Sequence, residues 1–161
     1  MKRNLTLLAA ALALSACSTA GPIAPPVPTA APSVGLIEGT AAYVTETGRH
    51  MSCSGLSVAL MADTAQTQSR LLALYGSAAH AIQPVEVVKA RSAGLEPGAA
   101  PINSAGCNAL GAFVFNDVQP GLYYLIAHVR REPPSAVGDD FVILQRVAVQ
   151  AGEARRVRLA P

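Results

Sequence analysis

The chain has no tryptophan, and aromatic residues make up only 4% of its 161 positions. With so few large rings, a core has to be built from Val, Leu, Ile and a little Phe. Charge is also sparse: charged residues are 14% of the chain, twelve basic against ten acidic. No basic domain or stripe is present, so nucleic-acid binding has no electrostatic footprint here. The apolar run Leu5–Ala13 falls well short of the roughly 20 residues that span a bilayer. His50, His80 and His128 show no metal-ligand spacing with one another or with the cysteines. Ser54-Gly55 and Ser57 lack the G-x-S-x-G setting of a nucleophile elbow. Asp139-Asp140 is one adjacent pair, too few oxygens for a calcium cage, and reads as an exposed charged turn. Glu86, Glu96 and Glu132 have no partner that would make an acid–base pair. These absences lead to the expectation of a non-enzymatic protein with no cofactor and no metal.

What is present begins at the N-terminus. Lys2 and Arg3 precede the apolar run, and Ser15 and Ala16 precede Cys17. A positive start, an apolar stretch and a small-residue zone read as a secretory signal. Leu14-Ser15-Ala16-Cys17 further resembles the lipobox of bacterial lipoproteins. That resemblance implies that the Cys17 thiol takes a diacylglycerol and that residues 1–16 are cut away. The new amine of Cys17 is then often acylated too. The alternative is an ordinary signal with a chance cysteine. Each buried CH₂ contributes about 0.8 kcal/mol, and two or more chains anchor stably where one does not. By the same resemblance, Ser18 favours the outer membrane over retention at the inner one. The expected partner is thus the membrane, through the anchor on Cys17.

Residues 17–34 form the next unit. The stretch STAGPIAPPVPTAAPS is rich in proline, uncharged and without apolar periodicity. Such a stretch cannot bury enough surface to offset its ordering entropy, and its prolines favour an extended spacer. Loss of residues 1–16 would remove Lys2 and Arg3, leaving ten basic and ten acidic residues. Arg155, Arg156 and Arg158 read first as solvent-facing strand positions, with contact to lipid or acidic glycan as a lesser alternative.

Residues 35–161 have the length of one domain. An exported chain lies in an oxidising compartment, so Cys53 and Cys107 are read as a disulfide. The alternatives are two buried thiols or a metal site with histidines. A bond would close a loop of about 54 residues, worth roughly 4 kcal/mol by chain entropy. Strands are expected over 36–45, 56–62 and 82–90, the first ending at the Thr47-Gly48 turn signal. Asp63 and Gln66 resemble a capping box. Leu71, Leu74 and Tyr75 share a helical face, and Gly76 is a plausible stop, so a helix is expected at about 64–75. Residues 93–106 read as a loop. In GAFVFNDVQPGLYYLIAHV, Phe113 and Phe115 share one face while Val114 and Asn116 point away. Tyr123, Leu125, Ala127 and Val129 then alternate on a returning strand, giving an expected β-hairpin turned at Asp117–Gly121. One of Tyr123 and Tyr124 should be core and the other surface, with Tyr124 available for a sugar or peptide contact. His128 should lie on the outer face. Phe141–Val149 and Val157–Leu159 complete the strands.

The pattern Gly111-x-Phe113-x-Phe115-Asn116-x-Val118-x-Pro120-Gly121-x-Tyr123 resembles carboxypeptidase regulatory-like domains. The closing Val147-x-Val149-x-Ala151-Gly152 then Val157-x-Leu159 resembles their last hairpin. The resemblance implies an all-β, antiparallel, seven-stranded immunoglobulin-like or prealbumin-like (transthyretin-like) sandwich, here with one short inserted helix. It also implies that the cysteine pair ties an early strand to the start of the phenylalanine-bearing one. Such domains usually lack an active site and serve as spacers or binding surfaces, and fold alone does not give function. The favoured reading is a non-enzymatic envelope lipoprotein whose sandwich binds a protein or cell-wall glycan, through a strand edge or the loops 91–106 and 131–140. A purely structural or stress-related envelope protein is the alternative, and a glycan- or peptide-acting enzyme is the weakest.

Overall fold

The computed structural model describes residues 33–133 and 139–161. The expected signal 1–16, Cys17 and residues 18–32 of the tether lie outside the described residues, as do 134–138 within the 131–140 loop. Ten strands and two helices run in chain order: β1 (Gly35–Thr40), β2 (Ala42–Val44), β3 (His50–Ser52), β4 (Ser57–Ala62), α1 (Ala65–Tyr75), β5 (His80–Pro84), α2 (Val85–Ser92), β6 (Asn103–Gly106), β7 (Ala112–Val118), β8 (Gly121–Glu132), β9 (Asp140–Val149) and β10 (Ala154–Arg158).

The strands make two sheets. The smaller has the order β10-β1-β7. The larger is organised on β8. On one flank β8 pairs with β4 along its first half and with β3 at its far end; on the other it pairs with β9. β2, β6 and β5 extend this sheet outward from β3, β4 and β9 respectively. Period-two alternation turns Tyr123, Leu125, Ala127 and Val129 of β8 inward, as expected. They meet Ile37, Phe113 and Phe115 of the smaller sheet, with Val58, Leu60, Ile143 and Leu159 completing the core. Phe113 and Phe115 lie edge to face with centroids 5.9 Å apart. The Phe113 ring covers Gly39 so closely that a Cβ there would fall 2.2 Å from it. The fold is therefore an all-β sandwich.

Each of the seven expected strands has a counterpart. The first is split at Ala41, where the chain leaves the smaller sheet for the larger one, and β3 and β6 are additional. Three expectations need correction. First, Asp117–Gly121 does not close a hairpin. β7 pairs with β1, whereas β8 pairs with β3, β4 and β9, so the turn carries the chain across the sandwich. Alternation puts Phe115 and Tyr123 inward in either case, and so does not distinguish the two arrangements. The Tyr123 hydroxyl donates to the Gln119 carbonyl at 2.7 Å and braces this corner. Second, β10 does not pair with β9. It joins β1 in a parallel ladder, the one parallel pair among the described residues. Third, 82–90 is a strand only as far as Pro84, where β5 ends and α2 follows. Val85, Val87 and Val88 favour a strand, but Pro84 precedes a turn with Glu86 first and Lys89 and Arg91 last, the charge order that suits a helix dipole. Arg91 also donates to the Leu74 carbonyl at 2.8 Å, tying α2 to α1. The sandwich thus carries two helices.

Helix α1 fills the expected span, but its cap is Thr64 rather than Asp63. The Thr64 side chain accepts from the Thr67 N–H at 3.1 Å. Gly76 ends the helix at φ 75°, donating to the Leu72 carbonyl. Leu71, Leu74 and Tyr75 pack on Met61, Ala81, Tyr124 and Leu144, a second core on the outer face of the larger sheet. Burying each of these side chains contributes roughly 1.5–3 kcal/mol.

Candidate functional site

The two sheets come together at one side along β6 and β7. Among the described residues, β6 pairs only with β4, and β7 only with β1. Each strand therefore presents an unpaired edge to the seam between them, with backbone donors and acceptors available. The seam opens into a cleft of about 600 Å³, and Asn103, Ser104, Asn108, Asn116 and Asp117 are among its lining residues. Alternation explains part of this lining. Phe113 and Phe115 turn into the core, so Val114 and Asn116 turn out. Asp117 follows at the irregularity where the register of β7 against β1 shifts, with φ 55°, a left-handed conformation that Asp tolerates better than most residues.

Side-chain hydrogen bonds shape the cleft. Asn108 Oδ1 accepts from the Leu110 and Ala112 amides at 2.9 and 3.0 Å, and Asn103 Oδ1 accepts from the Ser104 amide at 2.7 Å. Ser104 donates to the Val58 carbonyl at 3.4 Å. Among the described residues, the side chains of Asn116 and Asp117 make no hydrogen bond. They remain available to a ligand with hydroxyl or amide groups. The Cys53–Cys107 disulfide is formed, with Cα atoms 5.8 Å apart. It joins the β3–β4 connection to the β6–β7 connection. The Cys107 amide donates to the Leu56 carbonyl, and the Gly55 amide to the Cys107 carbonyl. The floor of the seam is thereby fixed to the core.

A second cavity, about 510 Å³, lies between α1, the outer sheet face and residues 95–99; Met61, Leu71, Leu74 and Ile126 line it. The Arg70 guanidinium spans it and donates to the Glu96 carbonyl. A Cβ at Gly98 would sit 2.4 Å from Arg70. Arg70 thereby ties α1 to residues 96–98 beside a cavity whose lining is mainly apolar, whereas the lining of the seam is mainly polar.

The remaining polar residues are engaged elsewhere. Asp63, with a side chain only 2% exposed, accepts from Gln68 Nε2 at 2.7 Å, from the Tyr124 hydroxyl at 3.0 Å and from both Nε and Nη2 of Arg146. Burial alone would raise its pKa. Hydrogen bonds from Gln68, Arg146 and Tyr124, with the charge of Arg146, outweigh burial and hold the carboxyl below its usual range. Burial and the Asp63 carboxylate push the Tyr124 phenol up. Tyr124 is 1% exposed, which corrects the expectation that it is a surface residue open to sugar or peptide. Asp139 lies 3.0 Å from Arg49 and 3.3 Å from Arg131, so its charge is answered by the chain itself. His128 is on the outer face as expected, 3.8 Å from Asp140. His50 and His80 stand on β3 and β5, apart from it. Glu86 pairs with Lys89 on α2. Glu132 lies opposite His50 in the β3–β8 ladder. Ser54 and Ser57 make no hydrogen bond to a histidine among the described residues. Among those residues there is also no cluster of three or more His, Cys, Asp or Glu side chains fit to hold a metal.

Asn103 and Ser104 were hidden in a stretch that reads as a loop, because β6 contains no β-branched or aromatic residue. Asn116 was legible as outward-facing but carried no signal of a site. The expected 91–106 loop is in part the end of α2 and strand β6.

The fold and seam together define a β-sandwich with an open polar edge. A solved structure with the same fold is that of a candidate carbohydrate binding protein from Pseudomonas aeruginosa, 15% identical, with a TM-score of 0.54 over 80% of this chain and 89% of that one. Identity this low shows shared fold alone. No protein-family model and no curated protein matches the chain.

Proposed function

We propose that this is a non-enzymatic lipoprotein of the bacterial envelope, held by acyl chains on Cys17, whose carboxypeptidase regulatory-like sandwich binds cell-wall glycan along the β6–β7 seam. The observation that carries the reading is the open cleft lined by amide, hydroxyl and carboxylate groups. Its chemistry suits a ligand rich in hydroxyls, and the fold is shared with a candidate carbohydrate binding protein. All the aromatic side chains are buried or half-buried. Recognition would therefore rest on hydrogen bonds without ring stacking, and the affinity is expected to be modest.

Co-sedimentation with purified peptidoglycan tests this. The mature chain should pellet with the polymer, and Asn116→Ala with Asp117→Ala should weaken retention about tenfold, the loss of one to two hydrogen bonds. Equal retention of both proteins, or none of either, would remove the seam from the account. A second reading has its own observation: two unpaired edges suit an extended peptide added as a strand. A peptide would compete through main-chain groups and tolerate both substitutions.

A further inference from the structure

Ser33, the first described residue, lies against the turn between β9 and β10: its carbonyl accepts from the Gly152 amide at 3.2 Å. Leu36 donates to the Glu153 carbonyl at 2.8 Å, and β1 and β10 then run parallel from this point. The chain that carries Cys17 therefore enters the domain beside the start of β10. That strand reads Ala-Arg-Arg-Val-Arg, and its outer edge is unpaired among the described residues. Arg156 is 87% exposed and Arg158 is exposed on the same face. In the ladders, Arg156 lies across from Glu38 and then Val114, and Arg158 across from Thr40 and then Ala112. Both helices pack on the larger sheet, so this smaller-sheet face is uncovered among the described residues.

The charges along this strand are unequal, and Arg155 alternates to the opposite face, across from Ile37. Arg156 meets Glu38 at 3.5 Å and Arg155 meets Glu153 at 3.5 Å, both near the surface, where such pairs are weak. Arg158 has no ion pair among the described residues. We infer that the β10 edge, with Arg155, Arg156 and Arg158, docks on the anionic phospholipid headgroups of the membrane that holds the tether, and so orients the domain. The inference rests on the Cys17 anchor proposed above. From Cys17 to Ser33 the chain spans about 16 residues, at most roughly 3.5 Å each, so the strand can reach the headgroups. A tether also supplies an effective concentration near the millimolar range. With Glu38 and Glu153 beside two of the three arginines, the edge carries one net positive charge, which near an anionic surface favours contact by roughly fivefold and biases the orientation once the domain is anchored.

The test uses the whole mature chain. With Cys53 and Cys107 bonded to each other, Cys17 is the single thiol that a maleimide phospholipid can take. The conjugate is placed in vesicles of phosphatidylglycerol and phosphatidylcholine in equal parts, or of phosphatidylcholine alone, and amide hydrogen exchange is followed. Exchange over residues 154–160 should slow severalfold in the anionic vesicles only. High salt, and the combination Arg155→Gln, Arg156→Gln and Arg158→Gln, should each abolish the slowing while the core amides of β8 stay protected. Equal exchange in both vesicles overturns the orientation. The mass of the native chain reports separately on the anchor: a missing acyl mass overturns the anchor and this orientation with it, whereas an acyl mass with unchanged exchange overturns the orientation alone.

Discussion

Asp63 illustrates how a single side chain joins three elements. It sits between β4 and α1, and accepts from Tyr124 on β8 and Arg146 on β9. Removing it by Asp63→Ala leaves the buried Tyr124 hydroxyl without its acceptor, a cost of about 1–3 kcal/mol, measurable by urea denaturation. Tyr124→Phe removes the donor as well as the need for it, and should cost about 1 kcal/mol or less. The pH dependence has a definite sign. The folded carboxyl titrates below its unfolded value of about 4, so its contribution is fully present above pH 4. It is lost as pH falls through the folded pKa. The stability gap between the native chain and Asp63→Asn should therefore narrow below about pH 4; a gap that persists there would mean the ionised form is not what matters. At this scale the sequence was half legible. Alternation assigns Tyr123 and Tyr124 to opposite faces, which is correct. It does not say that α1 covers the second face, because that cover is a tertiary contact between residues far apart in the chain.

Among the elements, the seam depends on the disulfide. Replacing Cys53 and Cys107 by Ala together should cost about 3–4 kcal/mol for a loop of this length. It should also speed amide exchange across β6 and the start of β7 before the rest of either sheet. Uniform acceleration would mean that the bond stabilises the fold without holding the seam. Gly39→Val is a second test: its side chain would meet the Phe113 ring at the position where even a Cβ is too close. Displacing that ring from the core should destabilise the domain by about 1–3 kcal/mol. The strands themselves were mostly readable from their period of two. Their partners were not. Phe115 and Tyr123 face the core whether β7 and β8 lie side by side or across from each other, and Val149 and Val157 pose the same ambiguity. Strand β6 and helix α2 were misread for a related reason: tertiary pairing made a strand of Asn-Ser-Ala-Gly, and Pro84 with a favourable charge order made a helix of a valine-rich stretch.

At the scale of the whole molecule, the proposal combines three pieces: the anchor proposed at Cys17, the proline-rich stretch proposed as a spacer and a sandwich with an open polar edge. Cys17→Ala should abolish incorporation of labelled palmitate and release the protein from the membrane fraction without changing the unfolding midpoint of the domain. Continued membrane retention of that variant would point to a different attachment. The central claim, however, is that the β6–β7 seam is the binding surface. The most direct measurement is a titration of the isotopically labelled mature chain with soluble peptidoglycan fragments, followed by NMR. The account predicts saturable shifts confined to residues 103–108 and 112–117. Shifts concentrated elsewhere, or none at fragment concentrations in the millimolar range, would contradict it.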